Sequence, residues 1–345
     1  MDLTRQIATL LIVGFPGRRF AADSEIARDI SNRGLGGVIL FNRCLHDPGQ
    51  EGNIGPAEEL QRLTTALQGL RDEPLLICVD QEGGSVQRLG RDNGYASIPA
   101  ARQLAENGAD TSQTERYAEE TAALLADVGV TVNFAPVIDV DRCPENPVIG
   151  RLGRSFSDSP QLVATHAAAW IKAHRRHGVI SCVKHFPGHG SSCVDSHLGF
   201  VDITASWHVD ELLPYRSLLA DDLVDMVMTG HLCNRAIDPS FPATLSPATV
   251  TGLLRNELGY RGAVVSDDLQ MQAITAHYPF GEALCCALTA GVDLLVIGNN
   301  LTYRPGIVEH AVTAIRNGID RGLVTEARIR EAHGRRQNLI ARENH

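Results

Sequence analysis

Residues 262–268 read Gly-Ala-Val-Val-Ser-Asp-Asp, a short apolar run that breaks off into two adjacent acids. Val264 and Val265 are β-branched, which favours a strand. A strand covered on both faces reads as an unbroken apolar run rather than as an alternation, the pattern of parallel sheets packed under helices. Seven further stretches have the same form: residues 10–15 (LLIVGF), 37–41 (GVILF), 75–80 (LLICVD), 130–136 (VTVNFAP), 180–186 (ISCVKHF), 225–231 (DMVMTGH) and 292–298 (VDLLVIG).

The segments between these runs have helical spacing. Residues 58–70 (EELQRLTTALQGL) are apolar at Leu60, Leu63, Leu67 and Leu70, and residues 115–128 and 161–176 are similar. Gly129 and Gly178 follow as helix stops. Eight strand–helix units predict a (β/α)8 TIM-type barrel, with an open doubly wound α/β sheet as the competing architecture. The barrel is favoured because polar residues close many different runs: Asp80, Asn133, Lys184, His185, His231 and Asp267. Barrel enzymes build their sites on that C-terminal rim. The chain has 345 residues, within the range of one large barrel, and has no internal repeat, low-complexity tract or Pro/Ser-rich linker. A single domain over residues 1–345 is expected, with long functional loops at 139–159 and 187–206.

Composition narrows the partners. The chain is 43% hydrophobic and 21% charged, with a net charge of −10. Binding to nucleic acid or an anionic membrane needs basic patches, so neither is expected. No stretch approaches the roughly 20 apolar residues of a membrane helix. The first apolar run lacks a basic flank and a small-residue cleavage site, so it reads as a strand and not a signal peptide. Eight cysteines occur without a CxxC pair. That pattern suits a reducing compartment, and a cytoplasmic location is expected.

The chemistry concentrates at the run ends. Asp267 points into a barrel mouth if residues 262–268 form a strand, and carboxylates there serve retaining glycosidases as nucleophiles. Asp267 or Asp268 capping the following helix is the structural alternative. Asp80 opens Asp80-Gln81-Glu82-Gly83-Gly84, either accepting hydrogen bonds from sugar hydroxyls or capping a helix, and Arg88 is long enough to reach back to it. Residues 184–190 (KHFPGHG), followed by Asp195-Ser196-His197, form the densest polar cluster. One reading is a metal site of His185, His189, Asp195 and His197, against which stand the cationic Lys184 and the lack of an HExxH spacing. The other has Lys184 and His185 hold a polar ligand, while Asp195 and His197 form a carboxylate–imidazole pair in a Gly/Ser-rich loop. A merely exposed loop histidine is the bland alternative for His197.

Taken together, DQEGG at 80–84 with Gln87-Arg88-Leu89, NFAPVIDV at 133–140, NPVIG at 146–150 with Arg154-Ser155-Phe156, KHFPGHG at 184–190, Asp195-Ser196-His197 and Ser266-Asp267-Asp268-Leu269 resemble glycoside hydrolase family 3, specifically its β-N-acetylglucosaminidases (β-N-acetylhexosaminidases). The six pieces occur in the family's order, from residue 80 to residue 269, and the resemblance extends over most of the chain, from Gly37 to at least Gly298. KHFPGHG followed by DSH is highly specific; SDDL alone is weak.

The resemblance implies a retaining hydrolase of terminal β-linked GlcNAc. It assigns Asp267 as nucleophile, His197 with Asp195 as acid/base, and Asp80, Arg88, Arg154, Lys184 and His185 as sugar-binding residues. No metal and no organic cofactor is implied. The substrate is expected to be a small GlcNAc-containing saccharide or muropeptide of cell-wall recycling. A local departure, Ile149-Gly150-Arg151-Leu152-Gly153-Arg154-Ser155-Phe156, supplies two arginines; Ser-Phe after Arg154 favours it, with Arg151 still open. Hydrolysis is the default, with phosphorolysis open because a neutral base leaves less negative charge beside the intermediate. A family β-glucosidase or xylosidase, a metal-dependent barrel hydrolase and an inactive sugar-binding protein are the competing classes.

Overall fold

The computed structural model describes residues 2–192 and 201–342. All eight apolar runs form strands: β1 (Leu11–Gly14), β2 (Gly37–Ile39), β3 (Leu76–Val79), β4 (Val132–Asn133), β5 (Ile180–Phe186), β6 (Met226–Thr229), β7 (Ala263–Ser266) and β8 (Leu295–Ile297). They pair in parallel in sequence order from β1 to β7, and β8 returns to β1 with Leu11 opposite Leu295. A parallel bridge between Val265 and Leu294 closes the ring between β7 and β8. The architecture is therefore the barrel and not the open sheet.

Helices follow the strands and cover them. They include α1 (Ala57–Gln68), α2 (Ser112–Asp127), α3 (Pro160–Arg176), α4 (Leu213–Ala220), α5 (Phe280–Ala290), α6 (Ile307–Asp320) and a last helix, α7 (Glu326–Arg342). The Leu60/Leu63/Leu67 stripe of α1 is buried, as its spacing predicts. Ser159 caps α3 from a strand-like conformation, and Pro160 takes the first turn, where its missing N–H costs nothing.

Alternate strand residues face inward. Ile12, Ile39, Leu76, Cys78, Val132, Ile180, Cys182, Met226, Met228, Ala263, Val265, Leu294 and Val296 form one buried cluster inside the barrel. Leu339 and Ile340 of α7 join that cluster. The intervening residues, among them Leu11, Val38, Ile77, Val183, Val227, Val264 and Leu295, pack outward against the helices in a second, larger cluster. Among the described residues the seven cysteines are free thiols, and no helix is long and apolar enough to cross a membrane.

Candidate active site

The inward parity of three strands runs one step past the apolar interior. Cys78 is followed two residues on by Asp80, Cys182 by Lys184, and Val265 by Asp267. Side chains at i and i+2 share a face, so three charged residues reach the mouth of an otherwise apolar tube.

Asp80 and Lys184 meet there. Lys184 Nζ lies 2.9 Å from Asp80 Oδ1 and 2.7 Å from Glu82 Oε1. Glu82 also takes a two-pronged ion pair from Arg154, with Nε 2.7 Å from Oε2 and Nη2 2.8 Å from Oε1. Arg88 Nη2 stands 3.4 Å from Asp80 Oδ2. A short hairpin, Gln81–Gly83 against Val86–Gln87, delivers that arginine. Gln81 pins the turn by accepting the Arg88 and Leu89 N–H groups on its own Oε1 at 2.9 and 3.0 Å.

Burial alone would raise the acids and neutralise the lysine; the neighbouring charges outweigh it. Asp80 is held below the usual carboxylate range by Lys184 and Arg88, and Glu82 likewise by Arg154 and Lys184. Lys184 and Arg154 are correspondingly held as cations. The wall is thus a fixed alternation of charges, able to donate to and accept from several hydroxyl groups at once.

His185 is placed by a third buried acid. Asp139 accepts the backbone N–H groups of His185 (3.0 Å) and His189 (2.8 Å) on Oδ1, and its Oδ2 lies 2.8 Å from His185 Nδ1. The Lys184–His185 peptide is cis. Asp139 is kept ionised against its burial by His185. His189 is pushed down to about 4 by burial and by His185, so it is neutral, and its Nδ1 bonds the Ser192 hydroxyl at 2.7 Å. Among the described residues, no group of three or more His, Cys, Asp or Glu side chains is arranged to hold a metal ion.

Asp267 is half-buried at the end of β7, facing the mouth. Among the described residues only its Oδ1 has a hydrogen-bond partner, the Asp268 N–H at 2.7 Å. Asp268 does structural work: its Oδ1 accepts the N–H groups of Gly298 (2.9 Å) and Gln270 (3.0 Å), tying the β7 end to the β8 end. Neither acid caps the following helix, Gln272–Thr275, whose N-cap is Met271 without a side-chain cap. Burial pushes the Asp268 carboxyl up to about 6. His231 bonds the Asp268 carbonyl at 2.9 Å and the Thr244 hydroxyl at 2.9 Å, supporting this turn from below.

The structure also corrects the rim. Asn133 does not face the mouth: Val132 points into the barrel interior, and Asn133 turns outward. Its Nδ2 donates to the Gln81 carbonyl (3.1 Å) and to His174 Nε2 of α3 (3.0 Å), while its Oδ1 accepts the Gln81 N–H (3.0 Å). It braces the hairpin against a helix. Of the two arginines, Arg154 enters the wall, whereas Arg151 is exposed and pairs with Glu145 at 2.8 Å. Asp195 and His197 lie outside the described residues. Glu82 and Asp139 were not singled out from sequence, although both sit in the quoted motifs. Their signal was an acid one or two residues beyond an apolar run, beside cations that only the fold brings near.

The barrel mouth carries a fixed wall of charges together with the half-buried Asp267 carboxylate, and comparison with known proteins gives the class of enzyme. Residues 2–339 match the glycosyl hydrolase family 3 N-terminal domain. The chain is 36% identical over 333 residues to a β-hexosaminidase of Alkalilimnicola ehrlichii, covering 94% of this chain and 88% of the relative. It is 38% identical over 278 residues to a β-hexosaminidase of Nitrosomonas eutropha, covering 77% and 74%. Among solved structures, a family 3 β-N-acetylglucosaminidase from Paenibacillus superposes with a TM-score of 0.88 at 34% identity, over 100% of this chain but only 63% of that longer one. The chain belongs to glycosyl hydrolase family 3. It is a glycoside hydrolase, and its substrate is a carbohydrate.

Proposed function

We propose that the chain is a retaining exo-β-N-acetylglucosaminidase that releases terminal β-linked GlcNAc through a covalent glycosyl-aspartate. The observation that carries this reading is the half-buried Asp267 carboxylate, with one oxygen free among the described residues, opposite the Asp80/Lys184/Glu82/Arg154 wall. The names of its relatives supply the sugar. Asp80, Lys184, Arg154, Arg88 and His185 hold the hydroxyls of the non-reducing sugar. Their positions are set before substrate arrives, so little reorganisation is left for the reaction.

Asp267 then attacks the anomeric carbon. The departing oxygen is a poor leaving group and takes a proton from His197, which Asp195 orients and whose cation it stabilises. Water, deprotonated by the same imidazole, releases GlcNAc with the β configuration retained. We place the natural substrate among GlcNAc-β-1,4-anhydromuramyl fragments of peptidoglycan, handled inside the cell. A second reading of the acid/base is favoured by one distance: the Asp139–His185 pair, at 2.8 Å, is itself an oriented carboxylate–imidazole dyad.

One set of rates tests both. Aryl β-GlcNAc should exceed aryl β-glucoside and β-xyloside in kcat/KM, and a 5-fluoro GlcNAc fluoride should label Asp267. His197→Ala should depress hydrolysis of a disaccharide by about 10²–10⁴-fold more than that of a dinitrophenyl glycoside, whose departure needs no proton. Should His185→Ala show that split instead, the acid is the Asp139 dyad. A sugar phosphate accumulating in phosphate buffer would replace hydrolysis with phosphorolysis, and labelling of Asp80 or Glu82 would remove Asp267 as nucleophile.

A further inference from the structure

The ladder between β3 and β4 ends at the pair Val79–Asn133, yet the backbone just beyond it stays paired. The Asn133 side chain continues the ladder. Its Oδ1 accepts the Gln81 N–H at 3.0 Å, and its Nδ2 donates to the Gln81 carbonyl at 3.1 Å. These two contacts fix which end of the amide is oxygen. The second Nδ2 hydrogen is left for His174 Nε2 on α3, 3.0 Å away. Across the ring, His174 Nδ1 lies 3.0 Å from the Trp170 carbonyl. A carbonyl can only accept, so Nδ1 carries the ring proton and Nε2 offers its lone pair. His174, Asn133 and Gln81 are all fully buried, and the Trp170 ring stacks on the imidazole at 5.1 Å.

Gln81 passes this placement on. Asp80 precedes it directly, and the Gln81 Oε1 accepts the N–H groups of Arg88 and Leu89 at 2.9 and 3.0 Å. Its Nε2 donates to the Leu89 carbonyl at 3.1 Å. Both members of the Asp80–Arg88 pair are therefore anchored to one residue, and the backbone of that residue is anchored to Asn133.

We propose that His174, in the outer helix layer, is a positioning residue for the sugar wall: by accepting from Asn133 it locks that amide onto Gln81 and so sets where Asp80 and Arg88 stand. A protonated ring would turn Nε2–H toward Nδ2–H, two donors with no acceptor between them, and the bridge would open. The titratable groups acting on His174 are Glu119 of α2 and His177 just beyond α3, which pair with each other at 2.7 Å. From the barrel side it meets the neutral amide of Asn133. Burial pushes the imidazole down to about 4, against the Trp170 carbonyl, which favours the proton. The bridge is thus closed throughout the neutral range and opens only as pH falls through about 4.

That the hairpin holds the sugar is the reading above, so one arm of the test does not use activity. Ring-nitrogen NMR of the wild type at about pH 6 reads the tautomer of each histidine, and the signals missing from His174→Gln belong to His174. They should show the neutral Nδ1–H form, and Asn133→Ala should shift Nε2. An Nε2–H form or a cation at that pH overturns the bridge, as does an Nε2 that Asn133→Ala leaves unmoved.

The second arm measures kcat and KM for an aryl β-GlcNAc. His174→Leu fills the space but removes the acceptor. It should raise KM and lower kcat/KM by about 10–100-fold, since misplacing substrate-holding groups by about 1 Å can cost about 10²-fold. His174→Gln can set an oxygen where Nε2 stands and should restore most of the loss. The double variant His174→Leu/Asn133→Ala should cost little more than either change alone, because both cut one chain of contacts. A purely structural role would lower the folded fraction, and with it kcat, at unchanged KM; that result, or full additivity in the double variant, overturns the proposal. Should His174→Leu fail to fold, the tautomer arm decides alone. If the wild type does not turn over aryl β-GlcNAc, the substrate reading fails while the tautomer result stands.

Discussion

Glu82 holds two cations at once, and this is what makes the sugar wall rigid. Arg154 and Lys184 are both inside the fold and both need a counter-ion; Asp80 alone cannot serve them. Removing one partner from a buried ionic group costs more than the group ever contributes, because the remaining charges stay desolvated. Glu82→Gln keeps the shape but leaves two cations facing one acid. Misplacing groups that hold the substrate by about 1 Å can cost about 10²-fold, so kcat/KM for an aryl β-GlcNAc should drop on the order of 100-fold. Arg154→Ala should do the same, while Arg151→Ala, which removes only an exposed pair with Glu145, should change little. Steady-state kinetics of the three variants checks this. Near-normal kcat/KM in Glu82→Gln would mean that the wall does not touch substrate.

At the scale of elements, the connection after β4 organises the site more than any strand does. Asn146 is fully buried there. Its Nδ2 donates to the His189 carbonyl (2.7 Å) and the Ser192 hydroxyl (3.0 Å), and its Oδ1 accepts the N–H groups of Val148 (2.9 Å) and Ile149 (3.0 Å). One side chain thereby joins the turn that aims Arg154 to the foot of the 187–206 loop. Asn146→Ala strands several buried polar groups, each costing about 1–3 kcal/mol if left unpaired. The variant should unfold at lower denaturant and lose kcat more than it raises KM. Unchanged stability would show that water replaces the amide without penalty.

The eight strands and the helices α1 to α3 were legible in the sequence because doubly covered strands and amphipathic helices write their burial directly into the spacing of Leu, Ile and Val. Asp80, Lys184 and Asp267 were legible because they end such runs. Asn133 was misread for a physical reason: at the end of a two-residue strand, being last says nothing about which way a side chain points. Parity with Val132 was the available clue. The partners of Glu82 and Asp139 come from connections dozens of residues away, and no local pattern records such pairings.

Over the whole molecule, the weakest join in the barrel is the one between its last two strands. β7 and β8 share a single bridge, and side chains supply what the ladder lacks. Asp293 Oδ2 accepts the Val264 N–H at 2.9 Å, and the Ser266 hydroxyl oxygen accepts the Val296 N–H at 3.0 Å. Asp293 is fully buried beneath three arginines: Arg255 at 2.7 Å, and Arg328 and Arg335 of α7 at 2.7 and 3.1 Å. Asp293→Ala would uncover three guanidinium groups and open the seam. A loss of about 3–5 kcal/mol in unfolding free energy is expected, with kcat/KM of the folded fraction little altered because the seam's acid lies at the opposite end of the barrel from the mouth. A loss below about 1 kcal/mol would place the cluster with ordinary surface pairs.

Leu339 and Ile340 plug the same interior that Ile12 opens from the other end of the chain. During synthesis that ordering matters. A ribosome delivers the strands one by one, yet the stopper for the tube arrives only with the final helix, so every nascent chain passes through a stage in which a ring of Leu, Ile, Val and Met has a wall but no floor. Exposed apolar surface of that kind is where partly made chains stick to one another, and a chain cut short before Leu339 would stay in that condition.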